Sequence, residues 1–167
     1  MKANHIAQAL VRELFHYNPK NGELRWRVSR GVAKAGDLAG YVHKPSGYLF
    51  VMVNSVNYRV HRVIWVYENG ELPVDVEIDH RNGIRHDNRI ANLRRSDRTG
   101  NAENRQRAQS NNKTGVLGVS FHKGTGKFRP HIQVNYEQIY LGLFNTAEEA
   151  KTVYDKAKRE HHKFCTI

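Results

Sequence analysis

The sequence predicts an α+β protein made of two consecutive units. Helical and strand patterns alternate in the first half, and a dense run of Arg, Asn and Asp follows at 77–109. After residue 115, three stretches of alternating apolar and polar residues precede one amphipathic helix, which predicts a three-stranded antiparallel sheet packed on that helix. The run 110–115 is polar and rich in turn residues. We therefore expect a first domain at 1–109, a linker at 110–115 and a second domain at 116–167.

The charge balance indicates a polyanionic partner. The 167 residues include 27 Lys and Arg against 16 Asp and Glu, a formal net charge of +11. Nucleic acid is the commonest such partner, and no basic amphipathic stretch supports an anionic membrane surface instead. No segment approaches the roughly 18 apolar residues of a membrane span. We expect the chain to bind nucleic acid and no membrane.

The cysteine content and the N-terminal residues indicate a compartment. Cys165 is the single cysteine, which excludes an internal disulfide and any zinc site built on a cysteine pair. Residues 1–5 lack the apolar core of a signal peptide. We expect an intracellular protein that works in the cytoplasm of a host cell.

The first 70 residues carry local signals for helices and short strands. Ile6, Leu10 and Leu14 recur at four-residue spacing, which predicts a short helix, and Gly70 is expected to end a second helix at 61–69. The remaining patterns predict strands at 24–28, 48–53 and 58–60, a hairpin turn at 54–57 and a further strand within 31–47. These patterns assign no functional role to residues 1–57.

The segment 77–104 has the residues of a hydrolytic site. Asp79 and His80 are expected to end a short strand, 90–93 to form a second strand carrying Asn92, and a helix to present Asn101 and Asn104 on one face. Hydrolysis of a phosphodiester needs a base for the attacking water and a cation on the phosphate. A neutral histidine can be that base, and carboxylate and amide oxygens suit Mg²⁺. For each residue alone, an ordinary turn is the favoured interpretation.

As a set, these residues resemble the HNH nuclease motif. The runs that carry the resemblance lie within 58–105 and are Val60-His61-Arg62, Asp79-His80, Asn92-Leu93-Arg94 and Asn101-Ala102-Glu103-Asn104. They are similar to the phage- and intron-encoded homing branch in particular, in which Asn stands where the motif name has its final His.

The resemblance implies a fold and a set of roles. It implies a strand–strand–helix (ββα-metal) core at about 77–107, with His80 as general base and Asn92 orienting its ring. Asp79 and Asn101 match the residues that hold the divalent metal, which we expect to be Mg²⁺, with Mn²⁺ as the alternative. We interpret His61 as a structural histidine and His86 as solvated.

Basic residues around this motif are candidates for phosphate contact. Eight Arg against three acidic residues lie between 81 and 107, although a solvated helix face is the alternative interpretation. The predicted DNA-binding residues of this region are Arg81, Arg94, Arg95, Asn104 and Arg105.

The second unit presents a polar and basic sheet face. Thr146 and Glu149 form a capping box at the start of the predicted helix. The side chains that alternate with the apolar ones are predicted to share the other face of the sheet: Ser120, His122, Lys127, Arg129, His131 and Gln133. A sheet can read base edges in the major groove with such side chains, but an ordinary solvent-facing surface has the same pattern.

Residues 115–160 resemble the APETALA2/ethylene-response-factor DNA-binding domain. The motifs are Gly118-Val119, Gly126-Lys127-Phe128, 140–144, Thr146–Ala150 and Tyr154-Asp155. The resemblance implies binding in the major groove through the three-stranded sheet. Ser120 and His122 depart from the family, which often has Arg on this strand, so the preferred DNA sequence is not implied.

Together these patterns predict a divalent-metal-dependent DNA endonuclease of the homing type with a C-terminal DNA-binding domain. The expected partner is double-stranded DNA, with no obligate protein partner. Two alternatives stay open: a non-catalytic DNA-binding regulator that retains a relic motif, and an RNA-processing nuclease. A groove-reading sheet disfavours RNA, whose major groove is deep and narrow.

Overall fold

The structure, a computed structural model, describes residues 5–73 and 75–165, which form two compact units. The N-terminal residues 1–4, from which the absence of a signal peptide was argued, lie outside the described residues. The units divide between Arg98 and Thr99. The class is α+β, as predicted, with small antiparallel sheets. None of the described helices is long and apolar enough to cross a membrane.

The first unit contains two helices, three small sheets and the start of a third helix. Its elements are α1 Gln8–Leu14, β1 Phe15–Asn18, β2 Glu23–Trp26, β3 Tyr41–His43, β4 Tyr48–Val53, β5 Val56–Arg59, α2 Val60–Asn69, β6 Glu77–His80, a 3₁₀ turn at Ile90–Asn92, β7 Leu93–Ser96 and α3 Arg98–Glu103, which spans the boundary. The sheets are β1-β2, β3-β4-β5 and β6-β7, all antiparallel.

Buried apolar residues of α1, α2, β1 and β4 form the core of this unit. Val11 of α1, Phe15 of β1, and Val63 and Ile64 of α2 are fully buried. The same buried face of α2 carries His61. Helix α2 ends as predicted, since Gly70 adopts a φ of 87° and donates its N–H to the Val66 carbonyl at 3.0 Å.

Two local details differ from the sequence prediction. The hairpin turn is Asn54-Ser55, both with positive φ (48° and 63°), so β5 begins at Val56 and the predicted turn at 54–57 was too long. Strand β1 was not predicted at all. It continues directly from α1 and has only two buried apolar positions, Phe15 and Tyr17, too few to reveal an alternating pattern.

The second strand of the candidate site is displaced from its predicted position. It begins at Leu93 instead of residue 90, and Asn92 belongs to the preceding 3₁₀ turn. The Asn92 N–H donates to the Arg89 carbonyl at 2.8 Å, which closes that turn. Strands β6 and β7 pair Asp79 with Arg94 and His80 with Leu93.

The second unit is a three-stranded sheet covered by one helix, as predicted. Its elements are β8 Val119–His122, β9 Lys127–Val134, β10 Glu137–Tyr140 and α4 Ala147–His161, with strand order β10-β9-β8. The predicted capping box is present, because Thr146 accepts from the Glu149 N–H and Glu149 accepts from the Thr146 N–H. Helix α4 packs on the sheet through Tyr154 and Ala157.

The compact units divide earlier in the chain than the expected domain boundary. Residues 99–115 fall within the second unit, including the expected linker 110–115. The Asn112 side chain donates to the carbonyls of Val116 (2.9 Å) and Val119 (3.2 Å) and accepts from Thr114. These hydrogen bonds fold the run into an ordered loop, because Asn satisfies nearby backbone groups in turns.

Candidate active site

His80, at the end of β6, is buried and held by one amide side chain. Its exposed fraction is 2%, and its Nε2 lies 2.9 Å from Oδ1 of Asn88, which is 1% exposed. An amide oxygen only accepts, so Nε2 carries the hydrogen and Nδ1 carries the lone pair. This tautomer makes Nδ1 the atom of His80 that can take a proton.

The surroundings of His80 keep the imidazole neutral. Burial lowers its pKa below the ordinary value, and the hydrogen bond with Asn88 and the negative charge of Asp79 oppose that effect only in part. A neutral imidazole at pH 7 is the form that a general base requires.

Asp79 forms an ion pair with its cross-strand neighbour Arg94. The Arg94 Nη2 and Nε atoms donate to Oδ2 of Asp79 at 3.0 and 3.2 Å, and the two side chains are only 13% and 15% exposed. The prediction that Arg94 contacts DNA is therefore corrected, because this guanidinium is engaged by a carboxylate. An ion bound by Asp79 has to share that carboxylate with Arg94.

Asn92 ties down the loop between β6 and β7 instead of orienting His80. Its Oδ1 accepts from the Asn82 N–H at 3.1 Å, and its Nδ2 donates to Oδ1 of Asn82 at 3.0 Å and to the Asp87 carbonyl at 2.8 Å. Within the described residues no hydrogen bond joins it to His80. The predicted ring-orienting role is corrected, since those bonds occupy the amide, and Asn88 makes the contact with the ring.

The same loop is braced by Asp87. Its carboxylate accepts from Arg89 (2.6 and 2.8 Å) and from the Asn82 side chain (2.8 Å). The Arg89 hydrogen bonds are the main reason that the pKa of Asp87 falls to about 2. These hydrogen bonds hold Asn82 and Arg89, which come before and after Asn88 in the loop.

An aromatic cluster that the sequence did not reveal packs around His80. The His61 ring meets the His80 ring edge-on at 4.9 Å, and Tyr48 lies 5.2 Å from His61 and 5.9 Å from His80. The guanidinium groups of Arg59 and Arg85 lie 5.0 and 5.1 Å from the Tyr48 ring. No local pattern links these positions, because they are brought together from β4, β5, α2 and the loop after β6.

Asn101 and Asn104, the other candidates from the predicted motif, belong to the second unit. Asn101 lies on α3 and is half-buried, whereas Asn104 follows α3 and is 5% exposed. The prediction that Asn104 contacts DNA is corrected, since its side chain is buried. Among the other candidates, Arg81 and Arg105 are exposed, and Arg95 is exposed and lies over the Trp65 ring at 6.0 Å.

The donor types of the predicted ligand pair, a carboxylate and an amide oxygen, are those that a hard cation takes. In the described part of the chain, no three His, Cys, Asp or Glu residues cluster in a way that could hold a metal. The oxygen donors that the sequence offers are the Asp79 carboxylate and the Asn101 amide, and Mg²⁺ characteristically takes one or two protein oxygens and completes its shell with water and phosphate. The Nε2 atom of His162 lies 2.8 Å from the Gln133 carbonyl oxygen.

The sheet register places all six predicted side chains of the second unit on one face. The pairs Ser120–Arg129 and His122–Lys127 lie opposite each other, and His131 and Gln133 continue that face along β9. Strand β10 adds Gln138 and Tyr140, which pair with Gln133 and His131 and were not predicted. Lys127 and Arg129 are exposed, and no acidic residue pairs on this face.

Comparison with known protein families gives a match over the segment that contains His80. His80 is a neutral buried imidazole that lies next to the Asp79 carboxylate on β6, and β6 pairs with β7. The sequence model of the HNH endonuclease family matches residues 58–103, which include α2, β6, β7 and α3. Nucleases of this family act on DNA and generally use a divalent metal. The chain matches no curated protein and no solved structure.

The burial of His61 predicts loss of stability in mild acid. Burial, the neighbouring His80, and Arg59 and Arg62 all lower the pKa of His61 well below 6.5 in the folded state. As the pH falls, the unfolded chain therefore takes up this proton before the folded chain does. The contribution of neutral His61 to the free energy of unfolding is fully present above about pH 6.5, and below it the free energy falls by up to about 1.4 kcal/mol per pH unit. The free energy of unfolding, measured with denaturant, should differ less between pH 7.5 and pH 5.5 in His61→Gln than in the wild type. Equal differences in the two proteins would contradict this role of His61, and His86→Gln, at an exposed position, is the matched control.

Proposed function

We propose that the chain is a divalent-metal-dependent endonuclease that hydrolyses phosphodiester bonds in duplex DNA at a recognised site, of the HNH homing type. The observation that carries this proposal is the buried, neutral His80, held through Nε2 by Asn88 and next to Asp79. It lies within the segment that matches the HNH endonuclease family.

In the proposed mechanism His80 takes a proton from the attacking water at Nδ1. Asn88 holds the ring through Nε2, and Asn92 keeps the loop in place through Asn82 and Asp87. Asp79 and Asn101 are the residues that would hold the metal, with Arg94 fixing the Asp79 carboxylate. When bound, such an ion supplies positive charge to the phosphate and the leaving oxygen.

Arg59 and Arg85 are proposed phosphate contacts close to the aromatic cluster around His80. Both are exposed, both flank the Tyr48 ring that packs on His80, and neither takes part in an ion pair among the described residues. Arg85 also donates to the Ser46 carbonyl at 2.7 Å, which limits its motion. Exposed guanidinium groups held near the base are suited to phosphate oxygens. Arg81, Arg95 and Arg105 remain proposed contacts with the DNA.

The second unit is the proposed DNA reader, of the APETALA2-like type. Its support is the single basic, acid-free sheet face that carries Lys127 and Arg129. A reader that stays on the DNA raises the effective concentration of the nuclease centre at its target, so neither unit has to bind tightly alone.

Removing a cation from this face should weaken DNA binding. We expect Arg129→Ala to raise the Kd for a mixed-sequence duplex roughly fivefold and to reduce the salt slope by about one. Lys156→Ala is the matched control, because it removes the same charge from the exposed side of α4. Fluorescence anisotropy across a salt series measures both the Kd and the salt slope. Equal effects of the two substitutions would show that net charge, and not the sheet face, governs binding.

Parallel cleavage reactions test the proposed function. The wild type is incubated with duplex DNA and with a folded RNA of equal length, each with Mg²⁺, Mn²⁺ or EDTA. We expect cleavage of the duplex DNA only, and only with a metal. Binding to DNA without cleavage under any metal would favour the non-catalytic regulator, and preferential cleavage of RNA would favour the RNA-processing nuclease.

A further inference from the structure

The N-terminal hairpin β1-β2 contacts the loop that holds His80. The hydroxyl of Tyr17, on β1, donates to the Asn88 carbonyl at 3.0 Å and accepts from the Ile90 N–H at 2.8 Å. Tyr17 is 3% exposed, so both bonds are shielded from water. The hairpin lies outside residues 58–103, the segment that matches the nuclease family.

The turn of the same hairpin also packs closely against this loop. Gly22 has a φ of +79°, and a Cβ there would lie 2.7 Å from the Arg89 nitrogen and 2.8 Å from the Asn88 carbonyl carbon. Only glycine allows this approach without moving the loop. Tyr17 and Gly22 therefore both contact the backbone at Asn88.

The Asn88 side chain makes its one hydrogen bond with His80. Its Oδ1 faces Nε2 of His80, while its buried Nδ2 has no hydrogen-bond partner among the described residues. A buried donor without a partner lowers stability, so the amide is a poor choice for folding alone. The contact that it does make decides which His80 nitrogen carries the hydrogen.

We propose that Asn88 is the positioning residue of His80 and that the N-terminal hairpin sets Asn88 through Tyr17 and Gly22. The hairpin thereby becomes part of the catalytic machinery, although it contributes no group to the reacting atoms. The inference rests on the proposed function only in taking His80 as the base, and its first test needs neither metal nor DNA.

The first test reads the tautomer of His80 by ¹⁵N NMR of the full chain at pH 7.5. The variants are Asn88→Leu, which keeps the side-chain size but removes the acceptor, and Tyr17→Phe, which removes only the hydroxyl. Tyr58→Phe is the matched control, because it removes a hydroxyl that bonds the His5 carbonyl at 3.3 Å, on a different contact of the same unit. We expect the Nε2–H tautomer alone in the wild type and in Tyr58→Phe, and a mixture of tautomers in the other two variants.

The second test measures cleavage by the same proteins. We expect kcat to fall about tenfold in Tyr17→Phe and about 100-fold in Asn88→Leu, with KM for DNA unchanged, because misplacing a catalytic group affects the chemical step. If Asn88→Leu does not fold, the tautomer and the kcat of Tyr17→Phe decide alone whether the inference holds.

The two tests separate failure of this inference from failure of the proposed function. If His80 in the wild type carries its hydrogen on Nδ1, the inference is overturned. It is also overturned if both variants keep the tautomer and the kcat of the wild type. Absence of cleavage by the wild type counts against the proposed function, while the NMR result still decides the placement of His80 by Asn88.

Discussion

Replacement of His80 by alanine is expected to lower the single-turnover rate of DNA cleavage by about 10²- to 10⁴-fold, the usual contribution of a general base. Binding of duplex DNA should change little, since His80 is 2% exposed and offers almost no surface to the DNA. The rate is measured on an end-labelled duplex with saturating protein and Mg²⁺, and the Kd is measured on the same duplex with EDTA.

His86→Ala is the control for this substitution. His86 lies in the same loop, is exposed, and contributes only its backbone carbonyl, which accepts from the Asn88 N–H at 3.1 Å. It should cleave at the wild-type rate. Cleavage by His80→Ala at the rate of His86→Ala would remove His80 from the mechanism.

Replacement of Gly118 by alanine is expected to destabilise the second unit by about 2–4 kcal/mol. Gly118 precedes β8, has a φ of +71°, and lies so close to Tyr154 that a Cβ would overlap the ring. Tyr154 is 6% exposed in the core between α4 and the sheet, so the ring has little room to move. The overlap and the backbone strain add together. Amide hydrogen exchange along β9 measures the loss, and DNA affinity should fall with it.

Gly115→Ala provides the matched comparison. Gly115 has nearly the same φ, +69°, but a Cβ there meets nothing within 4 Å, so it carries the backbone strain without the overlap. We expect Gly115→Ala to lower the free energy of unfolding of the second unit by about 1 kcal/mol. Equal destabilisation by the two substitutions would show that the close approach to Tyr154 is not what requires glycine at residue 118.

The elements that the sequence predicted correctly are those with a strong local signal. Helix α4 has its capping box at Thr146, and β9 alternates over eight residues, so neither depends on distant parts of the chain. Strand β1 has four residues and directly follows α1, and its role depends on a partner 71 residues away, the Asn88 carbonyl. No local pattern contains that information.

The candidate site shows the same division. Asp79 and His80 were placed correctly at the end of a strand, because the turn after them is encoded by Asn82 and Gly83. The Arg94 side chain was misassigned because its partner follows from the β6-β7 register, which pairs it with Asp79. The contact of Asn88 with His80 was missed because side-chain directions in an irregular loop do not follow any sequence period.

One measurement tests the central claim most directly: the time course of supercoiled plasmid incubated with the wild-type protein in Mg²⁺, in EDTA, and with His80→Ala in Mg²⁺. We predict conversion to nicked or linear DNA in the first reaction only, with ends that map to discrete positions. Equal conversion in all three reactions, or an intact plasmid in all three when it carries a sequence that the protein binds, would contradict a metal-dependent endonuclease centred on His80.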